Sequence, residues 1–374
     1  MDARSKPDLS IAQGTCYVLF AYDVARAIDL DEAERHVVAM KQREVWKHGR
    51  RAPKYFEYQP PTLRITQDVA PMAIGDYHSG ASVDLVLYDF GALSVVYAIP
   101  LGGPLSGLLT LSNDLYEATF LLTDSRKHVE RLLTVLGSAV FKPNIADVVE
   151  DYVIYHIEAF AGPHDIGDLC TRYAQDIAQI LRAETQPLSQ QEVMDALAYR
   201  LSFGVDDVTI VDWNAGLLVD HEGDDVRTVL EFANVELLEL RYLDRSLDNA
   251  LDRSYQALTL PQRNSRFGWG GFGADRDHVA RMQVDSAILF EGVNNALKLV
   301  GDQYLLRVYR MVSQRFHSAE WDAGMLRKLQ TLESIYGKMS DQATTRRMEV
   351  LEWIIIILIA ISIILPFLPG GYGH

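Results

Sequence analysis

Two acidic turns and one glycine cluster are the places where this chain's residue types could do chemistry. DHEGDD (220–225) gathers Asp220, Glu222, Asp224 and Asp225, oxygen donors of the kind a hard cation takes, yet their order does not follow an EF-hand loop. GPHDIGD (162–168) sets His164 beside Asp165 and Asp168, and a helix N-cap accounts for the aspartates. GWGGFG (268–273) does not follow a strand, has no Lys-Ser/Thr pair and lacks dinucleotide spacing. It reads as a connector whose neighbours Phe267, Trp269 and Phe272 suit an interface or a lipid surface. HExxH, a G-x-S-x-G elbow and paired CxxC motifs are missing, and Cys16 and Cys170 give neither a disulfide framework nor metal-ligand spacing. The sequence therefore nominates no catalytic, cofactor-binding or metal-ligating residue, and implies no cofactor.

One stretch is basic. RHVVAMKQREVWKHGRRAPKYF (35–56) carries Lys41, Arg43, Lys47, Arg50, Arg51 and Lys54 in a chain whose formal net charge is -16. That total argues against a dedicated nucleic-acid binder, which must neutralise phosphates. The local patch could still meet RNA, a ribosome or anionic headgroups, with Trp46, Tyr55 and Phe56 as stacking faces. A solvated helix followed by a loop explains the same residues.

The elements that would hold these groups are mixed. TCYVLFAYDVA (15–25), LRITQDV (63–69), DVVEDYVIYHIEAF (147–160) and DDVTIVDWNAGLLVD (206–220) have strand character, and SVDLVLYDFGALSVVYAIP (82–100) predicts a hairpin turning near Asp89–Gly91. DSRKHVERLLTVLGSAV (124–140) has helical spacing with Asp124 or Ser125 as its cap. PLSQQEVMDALAYRLSFG (187–204) predicts a helix with Ser189 and Glu192 as capping box and Gly204 as stop. Beyond residue 225 the spacing becomes heptad-like, with Leu240, Leu243, Leu247 and Ala250 in one run and Met325, Leu329, Leu332, Tyr336 and Met339 in another.

The chain then reads EVLEWIIIILIAISIILPFL (349–368). From Leu351 to Leu368 only Glu352 is charged, and a helix of that length spans about 27 Å, close to a hydrocarbon core. Trp353 suits a membrane interface. Arg346 and Arg347 before the run, with no Lys or Arg after it, orient the bulk of the chain to the cytoplasm and the C-terminus across the membrane. The start, MDARSKPDLS, has no apolar h-region.

Two of these stretches resemble a known family. VDLVLYDFGALSVVY (83–97), with its Asp-Phe-Gly turn, and the tail RRMEVLEWIIIILIAISII (346–364) are similar to the opening strand pair and the closing Leu-Glu-Trp-Ile-Ile signature of the RMD1/Sif2/DUF155 family. The resemblance implies a membrane-anchored protein without established enzyme chemistry. The family's mitochondrial member adds homo-oligomer assembly and support of translation. The lack of a transit peptide points to a bacterial or archaeal relative.

The expectation is an α+β protein in three parts. They are an α/β head (1–220), a long antiparallel helical hairpin or coiled coil (226–345) and one C-terminal transmembrane helix (351–368). Its function would be that of a tail-anchored, cytoplasm-facing scaffold that homo-oligomerises without catalysis, lipid being its partner. Leu240, Leu243, Leu247, Leu329, Leu332 and Tyr336 would form the seam within or between protomers, and Glu352 would order the anchors. The alternatives are an RNA- or ribosome-contacting protein using the 35–54 stretch, and an enzyme with an unrecognised site in the head.

Overall fold

The structure, a computed structural model, describes residues 9–40, 46–51, 61–116, 118–162, 165–259 and 303–364. In chain order the strands are β1 Ser10–Asp23, β2 Ala27–Ile28, β3 Trp46–Arg51, β4 Leu63–Asp68, β5 Ala73–Ile74, β6 Tyr77–His78, β7 Ser82–Leu87, β8 Ala92–Pro104, β9 Val140–Phe141, β10 Val149–Phe160, β11 Arg200–Leu201, β12 Val208–Val211 and β13 Ala215–Val219. The helices are α1 Leu30–Met40, α2 Gly107–Tyr116, α3 Thr119–Leu136, α4 Ile166–Leu169, α5 Ala174–Arg182, α6 Gln190–Ala196, α7 Asp224–Thr259, α8 Gln303–Arg315 and α9 Ser318–Ile364. They fall into two units, Met1–Leu243 with Ala287–Asp322, and Asp244–Ser286 with Ala323–His374.

The first unit is built on a nine-stranded sheet in the order β11-β12-β13-β10-β1-β8-β7-β4-β3, antiparallel except where β10 meets β13. Its central strands are apolar on both faces, as strands covered on both sides must be. On β1, Cys16, Val18, Phe20 and Tyr22 face one core while Leu19 and Ala21 face the other. The first core is closed by α1, α2, α3 and α5. The second is closed by α7 and α8, where Leu305, Val308, Tyr309 and Val312 recur at helical spacing. Each such side chain contributes roughly 1.5–3 kcal/mol by leaving water. The expected head boundary near residue 220 is therefore too early, because the start of α7 and all of α8 complete the sheet's second face.

Local boundaries differ in two places. Helix α3 begins at Thr119, so Asp124 and Ser125 lie inside it and do not cap it. Helix α6 does use Ser189 as N-cap, its hydroxyl accepting the Glu192 N–H at 3.2 Å, but it ends at Ala196 and the chain turns into β11.

In the second unit α7 and α9 run parallel, not antiparallel. Lys328 of α9 bonds Asp244 at 2.6 Å and pairs with Asp248 at 2.7 Å, and further along both helices Ser254 meets the Tyr336 hydroxyl at 3.2 Å. Both residue numbers rise together. A short loop would have forced an antiparallel pair, but the chain between Thr259 and Ser318 is long enough to return to its starting end. Leu247, Ala250 and Ser254 on α7 and Met325, Leu329 and Leu332 on α9 are buried along this pairing.

The expected transmembrane helix is not among the described residues. No helix among the described residues is long and apolar enough to cross a membrane. Residues 351–364 are the last turns of α9, and the described apolar run rises only about 21 Å, well short of the ~30 Å hydrocarbon core. Residues 365–368 lie outside the described residues. The tail anchor, the single-pass orientation and the membrane scaffold resting on them are overturned by this.

The turn between β7 and β8 depends on Gly91. Its φ is +102°, its carbonyl accepts the Val24 and Ala25 N–H groups at 3.0 and 3.2 Å, and a Cβ there would lie 1.9 Å from the Ala25 oxygen. Gly91→Ala should destabilise the first unit by about 3 kcal/mol or more, read as a fall in the urea midpoint.

Candidate functional site

Groups that could do chemistry form three buried polar clusters in the first unit. Asp212 stands in the tight β12–β13 turn, with its side chain 1% exposed. Its Oδ1 accepts the Trp213 N–H at 2.9 Å and Arg315 Nε at 3.0 Å, and its Oδ2 accepts Arg182 Nε at 2.8 Å. Asp195 of α6 bonds both guanidiniums, at 2.6 Å to Arg182 and 2.9 Å to Arg315. Glu192 adds a further short bond to Arg182. Arg315 lies over the Tyr199 and Trp213 rings at 5.2 and 5.0 Å. Burial opposes the charge on both arginines, but their bonds to Asp212 and Asp195 outweigh it and hold both above the usual range. The Arg315 bond likewise keeps the Asp195 carboxyl below its usual value. The two arginines thus spend their hydrogen bonds on internal acids, and the cluster clamps α5, α6 and α8 to the end of the sheet.

The second cluster joins α7 to β4 and β7. Glu231, with its side chain 1% exposed, receives Arg64 at 2.5 Å and Arg227 through a short bond. Arg64 also bonds Asp84 at 3.0 Å, which accepts from Thr66 at 2.7 Å, while Arg227 reaches Asp224 and lies 4.6 Å from the Tyr17 ring. The third cluster is different. Glu236 of α7 is 6% exposed and is bonded to the Tyr309 hydroxyl at 2.5 Å, and among the described residues no cation lies beside it.

Asp124, Ser125 and His128 of α3 supply the residue types of a catalytic triad without its geometry. His128 Nδ1 lies 2.8 Å from Gln67 Oε1 and Nε2 lies 3.2 Å from Asp124, while Ser125 bonds Tyr22 and the Leu122 carbonyl. No ring nitrogen is left to take a proton from the serine.

The residues nominated from sequence are scattered. Asp220 and Asp224 serve a turn and the start of α7, through bonds to the Glu222 N–H and Arg227, and Asp165 caps α4. His164 and the glycine cluster 268–273 lie outside the described residues, as do Lys41, Arg43 and Lys54. Lys47, Arg50 and Arg51 are on β3, an outer strand of the sheet, where basic residues also discourage edge-to-edge pairing. Arg346, Arg347, Glu352 and Trp353 are all on α9, and the last two are exposed. Leu240, Leu243, Leu247, Leu329 and Leu332 are buried within the chain, and Tyr336 is half-buried against Ser254. Among the described residues no group of three or more His, Cys, Asp or Glu side chains is placed to hold a metal ion.

Sequence reasoning passed over Asp212, Arg315, Glu231 and Glu236. The available signal was an acid inside an otherwise apolar run, as in TIVDWNAGLLV and VLEFANVELLEL. Asp212→Asn would leave Arg182 and Arg315 short of their shared counter-charge. It should cost about 3–5 kcal/mol, the usual effect of breaking a buried pair from one side, measured by denaturant unfolding.

The family described as "Uncharacterized protein MJ0711, N-terminal domain" matches residues 13–225, more than half of the chain. The uncharacterized protein MJ0711 of Methanocaldococcus jannaschii is 22% identical over 243 residues, covering 63% of this chain and 71% of the relative. The match runs through the sheet strands from β1 to β13 and ends at the first residues of α7. The chain belongs to the MJ0711 N-terminal domain family.

Proposed function

We propose that this protein is a self-associating, non-catalytic assembly module whose copies join through the far end of α9. The observation that carries the reading is the exposure of Trp353 through Leu358, between 47% and 64% each, on consecutive positions and hence on every side of the helix. A helix apolar all round needs neighbours all round. Several copies of the same helix supply such neighbours by symmetry. Ile354, Ile357, Ile361 and Ile364 fall at alternating spacings of three and four, and isoleucine at both seam positions favours more than two strands. The use of the buried charges in internal clamps supports a structural reading of the first unit. The resemblance of two stretches to the RMD1/Sif2/DUF155 family, whose mitochondrial member assembles into homo-oligomers, supports the same reading.

Light scattering on the full chain beside a chain ending at Gln342 tests it. The full chain should be a multimer and the shortened chain a monomer, and Ile354→Glu with Ile357→Glu should reproduce the shortened chain's mass. A multimer that survives removal of residues 343–374 would overturn the reading. So would a monomeric full chain that instead partitions onto lipid vesicles.

A second reading, contact with RNA through the basic stretch, draws support from the outer position of β3 and its Lys47, Arg50 and Arg51. It expects salt-dependent RNA binding that Arg50→Glu, Arg51→Glu and Lys54→Glu together abolish. Binding unchanged by those substitutions removes it.

A further inference from the structure

Glu236 is placed unlike the other buried acids. Glu231 has two guanidiniums and Asp212 has two, whereas Glu236 has one phenol, that of Tyr309 on α8. The apolar residues of its layer surround it. Phe232, one turn earlier on α7, lies 6.3 Å from the Tyr309 ring and 6.3 Å from that of Tyr88. Among titratable groups, α8 presents Tyr309 and α9 presents Asp322, which is itself an acid. On its own helix Glu239 follows three residues later, and Arg64 and Arg227, toward the sheet, are engaged by Glu231.

We infer that Glu236 is a proton-operated latch between α7 and α8, closed while its carboxyl carries a proton and loosened when it ionises. A protonated carboxyl and a phenol share a hydrogen bond without burying a charge. Ionisation puts a carboxylate into an apolar layer with only the phenol as donor and Asp322 close by, and relief comes from parting the two helices so that water enters. Burial, opposed by the Tyr309 bond and assisted by Asp322, pushes the Glu236 carboxyl up to about 7, and burial pushes Asp322 up to about 6. The sign follows from linkage. The folded pKa lies above the usual 4.5, so the contribution of this acid is complete below 4.5 and is lost as the pH rises to about 7.

Hydrogen exchange of the full chain, corrected for the intrinsic pH dependence of amide chemistry, tests the latch. Between pH 5 and pH 8 the protection of α8 amides should fall roughly ten-fold or more. Glu236→Gln, which keeps the shape and a partner for Tyr309 but cannot ionise, should hold α8 protection level over that range. Tyr309→Phe, which removes the donor that favours the carboxylate, should move the loss to higher pH. Glu150 on β10, pushed up to about 7 by burial against its pairing with Arg241, titrates over the same interval, so the comparison is read on α8 and not on the sheet. Equal loss in α8 for the wild type and Glu236→Gln overturns the inference, as does a wild type whose α8 protection does not change.

Discussion

The carboxylate of Glu231, held between Arg64 and Arg227, is the interaction on which the rest of this arrangement depends. Helix α7 is buried at every position from 231 to 238, so it has no polar face to turn to water. Apolar burial gives it affinity for the sheet but no fixed rotation or axial position, since one apolar side chain replaces another at little cost. A buried acid that must meet an arginine from β4 and another from its own helix removes that freedom. The axial position so fixed carries Phe232 against Tyr88 and Tyr309, and thereby also fixes where α8 can lie.

Asp212 does the same work at the other end of the sheet, and the comparison between the two explains why the polar interior is uneven. A two-residue edge strand such as β11 and a seven-residue helix such as α6 bury little area of their own. The arginines of α5 and α8 converge on Asp212 and Asp195 and join these short pieces into one body. Acids with two guanidiniums are held in place by both. Glu150 has a single arginine and Glu236 a phenol alone, so the cost of desolvation is progressively less offset along this series. Burial pushes both of these last two carboxyls up to about 7, which brings them within reach of a change at neutral pH.

Much of the sheet was legible in the sequence because it rests on short-range rules. The β-branched runs, the Asp89–Gly91 turn and the Ser189 cap each declare themselves within a few residues, and β1, β7, β8 and β10 lie where alternation and composition place them. The charge clamps were not legible. Arg182, Asp195, Asp212 and Arg315 are distant in sequence, and of the four it is Asp212, an acid inside an apolar run, that stands apart from an ordinary surface residue. The shortening of α6 to Ala196 was hidden for a related reason, since the pairing of Arg200 and Leu201 with β12 overrides the helical propensity of the segment. Heptad spacing showed which faces of α7 and α9 are apolar, yet it carries no information on direction. A parallel and an antiparallel pair use the same seam, and only the length of the intervening chain decides between them.

That parallel pairing bears on what the end of α9 is for. Where α9 runs beside α7, its apolar stripe is narrow and already covered: Met325, Leu329 and Leu332 are buried, and Lys328 closes the flank with two aspartates. Helix α7 stops at Thr259, near the level at which Tyr336 of α9 meets Ser254, and α9 continues to Ile364. Beyond that level the sequence is first polar, through DQATTRR, and then apolar on every side from Trp353 onward. A stripe that a neighbour in the same chain covers needs only one apolar face. An end that has outrun that neighbour, and is nevertheless apolar all round, has the surface of a helix surrounded by equals. The change from one pattern to the other along a single continuous helix makes the intrachain seam and the proposed surface for self-association separate parts of α9, so substitutions in one need not disturb the other.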